Sequence, residues 1–176
     1  MKIAVIGYSG SGKSTLAKTL ARHYSFPKLH LDTLQFKANW EVSEREVMKH
    51  QVGDFLSQNE DWVIDGNYSW CHYEKRMKQA DLIIFMNFNR WNSLYRVTKR
   101  YFKNRGKVRE DMAAACPEKL DWEFIRWVLR DGRKKTARER YKRISQTYPH
   151  KLIVLQNQKQ INRFLAKLNS KKHWDF

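Results

Sequence analysis

Apolar positions in this chain follow two patterns in turn: short unbroken runs, and stretches in which they return every three or four residues. Lys2-Ile3-Ala4-Val5-Ile6, Trp62-Val63-Ile64-Asp65-Gly66, Leu82-Ile83-Ile84-Phe85-Met86 and Leu152-Ile153-Val154-Leu155 are runs of the first kind. Near-continuous apolar runs of this length are the form of strands covered on both faces, which is how parallel sheets are built. Lys28-Leu29-His30-Leu31-Asp32 alternates into an acidic end and predicts a further strand, second in chain order. Between the runs the period changes. Leu16, Ala17, Leu20 and Ala21 share one helical face, and Ser43-Glu44-Arg45-Glu46 has the form of a capping box before Val47, Met48, Val52, Phe55 and Leu56. Asn157 is placed to cap a last helix carrying Ile161, Phe164, Leu165 and Leu168. Strands separated by helices predict an α/β fold of right-handed βαβ units around a five-stranded parallel sheet.

Some sixty residues between the fourth and fifth runs carry no strand signal. Helices are predicted over Trp91 to Lys103, Asp121 to Arg130 and Lys134 to Tyr148, with a turn or loop from Gly106 to Pro117. At 176 residues, and without a linker, repeat or low-complexity tract, residues 1–176 read as one domain. The basic stretch at about 96–148 reads as a helical lid inserted into it.

Charge sharpens this division. Met1 to Tyr95 holds 12 Lys/Arg against 10 Asp/Glu, whereas Arg96 to Phe176 holds 23 against 8, so nearly all of the +17 net charge lies in the second part. Such a field attracts polyanions, from a triphosphate to nucleic acid, and by itself selects none of them. Trp122, Phe124, Trp127, Tyr95, Tyr101 and Phe102 interleave with that charge. Their helical spacing predicts a small core packing the lid helices together, in preference to a stacking platform for bases. Cys71 and Cys116 lack the spacing of a zinc site or a disulfide framework and read as reduced structural thiols. No run has the length of a signal core or a membrane span, so a cytoplasmic protein is expected.

The chemistry begins at the end of the first run. Gly7-Tyr8-Ser9-Gly10-Ser11-Gly12-Lys13-Ser14 fits the phosphate-binding pattern G-x-x-x-x-G-K-[ST], set between a strand and a helix as the mechanism requires. Its glycines let backbone N–H groups converge on a triphosphate, Lys13 adds a point charge near the β/γ bridge, and the Ser14 hydroxyl can reach Mg²⁺. The predicted ligand is therefore a nucleoside triphosphate with Mg²⁺, held by Gly7, Ser9, Gly10, Ser11, Gly12, Lys13, Ser14 and Thr15.

Phosphoryl transfer needs positioning and charge neutralisation more than covalent help. Asp65, ending a buried strand, is placed to hold the metal together with Ser14. Asp32 is expected to end the neighbouring strand, where it could orient or deprotonate an acceptor hydroxyl. Arg96 and Arg100 share a helix face, Arg105 and Arg109 flank Gly106, and Arg126, Arg130, Arg133 and Arg138 follow at helical intervals. Any of these could clamp phosphate, although a face of charges is ordinarily solvated surface.

Taken together, the N-terminal phosphate loop, Leu31-Asp32 with Trp40, Trp62 to Tyr68, Asn89-Arg90-Trp91 to Arg100, and Asp121-Trp122-Glu123-Phe124 resemble the bacterial adenylate-kinase-like P-loop proteins labelled FlaR or DNA topology modulation proteins. The resemblance runs nearly end to end. It implies a nucleoside-monophosphate-kinase-like sheet in order 2-3-1-4-5, ATP at the loop, an acceptor over the strand ends and an Arg-rich lid. It also implies that Gly12, Lys13, Ser14 and Thr15 bind phosphate and Mg²⁺, that Asp32 and Asp65 face the reacting centre, and that Arg96, Arg100 and Arg138 clamp phosphate, so that Lys13, Asp32, Arg96, Arg100 and Arg138 make up the catalytic set. Adenylate kinases follow the third-strand Asp-Gly with Phe-Pro-Arg, whereas Asn67-Tyr68-Ser69 stands here, and the stretch after Asp32 lacks their acceptor-gripping Arg. Asp32 looks more like the hydroxyl-facing carboxylate of shikimate and gluconate kinases, which implies a small hydroxylated or nucleotide-like acceptor. The competing expectation is an ATP-binding regulator of DNA topology that uses the basic half to hold DNA.

Overall fold

The β-branched run at the start of the chain becomes the centre of the molecule. In the computed structural model, which describes residues 1–105, 112 and 115–170, strand β1 (Lys2–Gly7) pairs with β3 (Trp62–Asp65) on one side and β4 (Leu82–Met86) on the other. Strands β2 (Lys28–His30) and β5 (Leu152–Leu155) complete a five-stranded sheet in order β2-β3-β1-β4-β5, with every pairing parallel. All five strands therefore end at one edge. The chain turns back across the sheet between β1 and β4, a switch point of the kind that leaves a crevice beyond the strand ends.

Side chains along each strand alternate between two cores, as a sheet covered on both faces requires. Ile3, Val5, Val63, Ile84 and Met86 point to one face, where α1 (Lys13–Tyr24) supplies Leu16, Ala17, Leu20 and Ala21, and α8 (Gln158–Ser170) supplies Ile161, Phe164 and Leu168. Ala4, Ile6, Ile64, Ile83 and Phe85 point to the other. There they meet Leu31 of α2 (Leu31–Gln35), Met48, Val52 and Leu56 of α3 (Arg45–Gln58), Tyr73 and Met77 of α4 (Tyr73–Gln79), and Tyr141 and Ile144 of α7 (Lys135–Thr147). Between β4 and β5 the chain also forms α5 (Arg90–Asn104) and α6 (Trp122–Leu129), and no helix of the described residues is long and apolar enough to cross a membrane.

Local readings of the sequence fail in three places. The second strand stops at His30, and Asp32 lies in the first turn of α2, because the buried Leu31 packs beneath Gly66. A Cβ on Gly66, which has φ +139°, would come 2.7 Å from the Leu31 Cβ, so these two positions are built around each other. Ser43 does not cap α3: the cap position is Glu44, no side chain bonds there, and Val47 is exposed. The aromatic residues of the basic half mostly do not form a core. Trp122 and Trp127 of α6 are exposed, and so are Tyr95 and Phe102 of α5, which turns its small residues inward. Gly10 approaches the Ser93 carbonyl and Val97 so closely that a Cβ there would lie 2.7 Å from both, and no ring fits between helix and loop. Asn157 does cap α8, accepting from the Gln160 N–H at 3.0 Å.

One buried cation holds the connection between β3 and α4. Arg76 is fully buried and donates to the carbonyls of Cys71 (3.1 Å), Gly66 (3.3 Å) and Tyr68 (3.0 Å). Burial lowers its pKa to about 10, against the raising influence of Cys71, Tyr73 and Asp65, so the guanidinium remains charged near neutrality. Replacing Arg76 by Leu would remove the donor from the Cys71 and Gly66 carbonyls, while the Tyr68 carbonyl keeps the Cys71 N–H at 3.3 Å. At roughly 1–3 kcal/mol for each unsatisfied buried group, the Arg76→Leu protein should lose at least about 2 kcal/mol in urea unfolding, and wild-type stability would refute this account of the loop.

Candidate active site

The phosphate-binding sequence forms a tight loop at the switch point. Gly7 (φ +141°), Gly10 (φ +78°) and Gly12 (φ +94°) adopt backbone conformations that L side chains rarely enter, and a Cβ on Gly7 would overlap the Met86 carbonyl. Ser11 is buried, with both its N–H (3.2 Å) and its hydroxyl (2.6 Å) bonded to the Tyr8 carbonyl. The Lys13 ammonium reaches the same carbonyl at 3.1 Å. Gly12 is the N-cap of α1, and no acidic side chain lies in the first turn, so the positive end of the helix dipole is uncompensated by its own residues. Asn67 brackets the loop from β3, accepting from the Gly7 N–H at 3.0 Å and donating to the Gly7 carbonyl.

Asp65 sits at the base of this loop, 4% exposed. It shares a sheet face with Val63, the face that carries α1, and Ser14 in the first turn of α1 donates its hydroxyl to Asp65 Oδ2 at 2.8 Å. The other oxygen, Oδ1, bonds Nδ1 of His30, which is in register with Asp65 on the adjacent strand. Ser14, Asp65 and His30 thus form one hydrogen-bonded chain across α1, β3 and β2. His30 is 6% exposed and its Nε2 is buried without a hydrogen-bond partner. His30 is absent from the sequence-derived site, and its position next to Asp32 in a short strand was the only available signal.

Asp32 occupies a different place, two residues beyond the end of β2. The Tyr68 hydroxyl donates to its Oδ1 at 2.6 Å. Burial, the Asp32 charge and hydrogen bond, and Asp65 all raise the Tyr68 pKa far above its ordinary value, so the phenol keeps its proton for that bond. Phe36 and Trp40, following α2, pack against Met112 and Cys116 of the long excursion, and the Cys116 thiol lies 3.1 Å from the Lys37 carbonyl. The segment after Asp32 and the excursion therefore meet over this side of the strand ends.

The arginines divide by partner. Arg96 lies against the loop: a Cβ on Gly12 would be 2.5 Å from its Nη2. Its guanidinium stands 4.8 Å from the Phe88 ring and donates to Gln158 at 2.8 Å, while burial lowers its pKa. Arg100 is ion-paired with Glu118, at 2.7 and 2.8 Å, a carboxylate that a phosphate would have to displace. Arg138 lines a groove of about 550 Å³ with Tyr8, Asn87, Arg90, Arg130 and Arg133. Arg133, which sequence left among eight possibilities, is the most fixed of these: it stacks 3.9 Å from the Tyr8 ring centroid and donates to Ser93 and Val128, both at 3.0 Å. Arg126 pairs with Asp131, and Arg109 lies outside the described residues. Trp127 of α6 donates its indole N–H to the Ser9 hydroxyl at 3.1 Å, a direct contact between the excursion and the loop.

Hard oxygen donors at Ser14 and Asp65, beside the glycine-rich loop, suit Mg²⁺, which is commonly held by one or two protein oxygens plus phosphate oxygens. Among the described residues no group of three or more His, Cys, Asp or Glu could hold a metal, so the fit rests on these two side chains and the phosphates of a bound nucleotide.

No protein-family model matches the chain, and no curated protein matches it. Solved structures do. TT1252 from Thermus thermophilus is similar over 99% of this chain and 98% of its own, with a TM-score of 0.56 and 17% identity. Shikimate kinase from Bacteroides thetaiotaomicron covers 97% of each chain with a TM-score of 0.54 and 18% identity. An uncharacterised protein from Eubacterium ventriosum covers 97% of this chain and all of its own, with a TM-score of 0.51 and 18% identity. The fold is shared with these structures, and the sheet order is the one expected.

The Asp65–His30 bond can be measured by its coupling. A double-mutant cycle of His30→Ala and Asp65→Asn should give a coupling of at least about 1 kcal/mol in unfolding free energy; additive effects would show that the two side chains do not support each other.

Proposed function

We propose that the protein is a Mg-ATP-dependent phosphotransferase of adenylate-kinase type, acting on a hydroxyl of a small hydroxylated or nucleotide-like acceptor. The observation that carries this reading is the disposition of two carboxylates at one sheet edge. Asp65 is bonded to the Ser14 hydroxyl at the phosphate loop, and Asp32 is oriented by Tyr68 on the side reached by the excursion. Bound Mg-ATP supplies the phosphoryl group and a divalent charge next to it. The backbone from Gly7 to Gly12 cradles the phosphates, with Ser9, Gly10 and Ser11 at its apex and Lys13, Ser14 and Thr15 at the helix start. Ser14 and Asp65 would contribute the metal's protein oxygens.

On the acceptor side, Asp32 accepts the hydroxyl proton as the acceptor oxygen bonds the γ-phosphorus and the bond to the β,γ-bridging oxygen breaks, releasing ADP. Arg96 and Arg138, with Arg100 once released from Glu118, neutralise the charge spread over the transferring group. Residues of about 96–148 act as a lid, and the contacts of Trp127 with Ser9 and of Cys116 with Lys37 are the points from which it would exclude water. The FlaR-type relationship suggested by the motifs belongs to this reading, as does residence in the cytoplasm, where ATP is available.

Lys13→Ala should leave the fold intact and reduce phosphoryl transfer at least about a hundredfold, measured as acceptor-dependent ADP release across nucleosides, nucleotides, sugars and hydroxy acids; wild-type turnover would remove the loop from catalysis. The two carboxylates should separate kinetically. Asp65→Asn should raise the Mg²⁺ concentration needed for half-maximal rate, whereas Asp32→Asn should depress turnover with ATP affinity nearly unchanged. Equal loss of ATP binding in both variants would show that the roles are not divided in this way.

A further inference from the structure

The outward face of α5 carries a feature that phosphoryl transfer does not use. At 100° per residue, Trp91, Tyr95 and Phe102 fall within an arc of about 40°, opposite the buried Ser93 and Val97. They are 67%, 66% and 69% exposed. Single exposed rings are common on protein surfaces, but here three are aligned on one helix, with Thr98 on the same face between Tyr95 and Phe102. The first two are about 6 Å apart along the axis, one turn. Helix α5 contains no Asp or Glu, and the exposed Lys99 and Lys103 lie along one border of the stripe. Trp122 of α6, the helix packed against α5, is 74% exposed.

We propose that this face binds single-stranded nucleic acid, with unpaired bases stacked on Trp91, Tyr95 and Phe102 and phosphates neutralised by Lys99 and Lys103. Charge complementarity selects the partner. A chain of net charge +17 repels a second copy of itself and attracts a polyanion. Flat rings select among polyanions, because every base offers a π-face and stacking is worth roughly 1–3 kcal/mol per base. In a duplex those faces are already stacked on each other, so the stripe would have nothing to engage without unstacking them. A helix lying on an anionic membrane buries a full apolar face, whereas here the large apolar residues are three rings within an arc of about 40°. The inference rests on the surface alone and does not depend on the kinase reading.

Fluorescence anisotropy tests it, with a labelled oligothymidine of twenty nucleotides, a labelled duplex of the same length and sedimented phosphatidylserine-containing vesicles, all at near-physiological salt. Wild-type protein should bind the single strand about tenfold or more tighter than the duplex, with quenching of tryptophan fluorescence. The Trp91→Ala/Tyr95→Ala/Phe102→Ala protein should lose that preference at unchanged melting temperature. Lys99→Gln/Lys103→Gln, which spares the rings, should reduce the log-log salt slope by about 0.7 for each phosphate that is no longer neutralised. Lys13→Ala should bind the strand as wild type does, even where ATP turnover is abolished. Equal affinity for strand and duplex, a strand affinity untouched by both multiple variants, or ring-dependent binding to vesicles with none to oligothymidine would each overturn the proposal.

Discussion

A buried carboxylate shared by three elements is the constraint around which this molecule is arranged. Asp65 is 4% exposed, and it is held by a serine hydroxyl from α1 and a histidine nitrogen from β2. Leaving such a group unsatisfied would cost several kcal/mol, so the start of α1, the end of β3 and the end of β2 must hold their relative positions whenever the chain is folded. Those three ends are also what the phosphate loop needs. The helix start that carries Ser14 follows directly from the loop glycines, and Asn67, two residues beyond Asp65, clasps Gly7 through both backbone groups. Local geometry at the candidate site and stability of the sheet edge are therefore one problem with one solution.

The sheet was legible because a parallel strand covered on both faces leaves its mark in every residue. The run Leu82 to Met86 is β4 residue for residue, and Leu152 to Leu155 is β5. The second strand was legible only in part, since its last residues obey a different pressure. Leu31 must fill the space left by Gly66 across the sheet edge, and in doing so it starts a helix that carries Asp32 with it. The tight turn between β1 and α1 could be read from spacing because its positive-φ backbone is written in Gly7, Gly10 and Gly12. His30 and Arg76 could not. Each is polar and buried and held by groups that no sequence spacing pairs with it, His30 through Nδ1 by Asp65 and Arg76 by the carbonyls of Gly66, Tyr68 and Cys71. No periodicity announces a partner that only the fold supplies.

The aromatic residues misled for a physical reason that the structure makes plain. Rings at helical spacing ordinarily mean a core, but the inner face of α5 must come within contact distance of the loop backbone at Gly10, and only Ser93 and Val97 allow that approach. The bulky residues of α5 were consequently left on its far side. Close packing of helix on loop and exposure of Trp91, Tyr95 and Phe102 are two consequences of the same small-residue face.

The same shortage of space and of acidic residues shapes how the basic half holds its charge. With 8 carboxylates among 23 Lys and Arg beyond residue 95, ion pairs cannot satisfy most of the cations, and several turn to ring faces and carbonyls instead. Arg133 lies on Tyr8, Arg96 on Phe88, and Arg140 near Tyr73 while donating to the Asn67 carbonyl. A cation over a ring is held in place more weakly than one in a buried ion pair, and an arriving phosphate need not compete with a carboxylate for it. Arg100, gripped by Glu118, is the contrasting case: its release costs an ion pair. The arginines resting on rings and carbonyls are thus ordered before any anion binds, yet remain free to change partners when one does. Fixed position ahead of any change in charge is what electrostatic preorganisation requires of such groups.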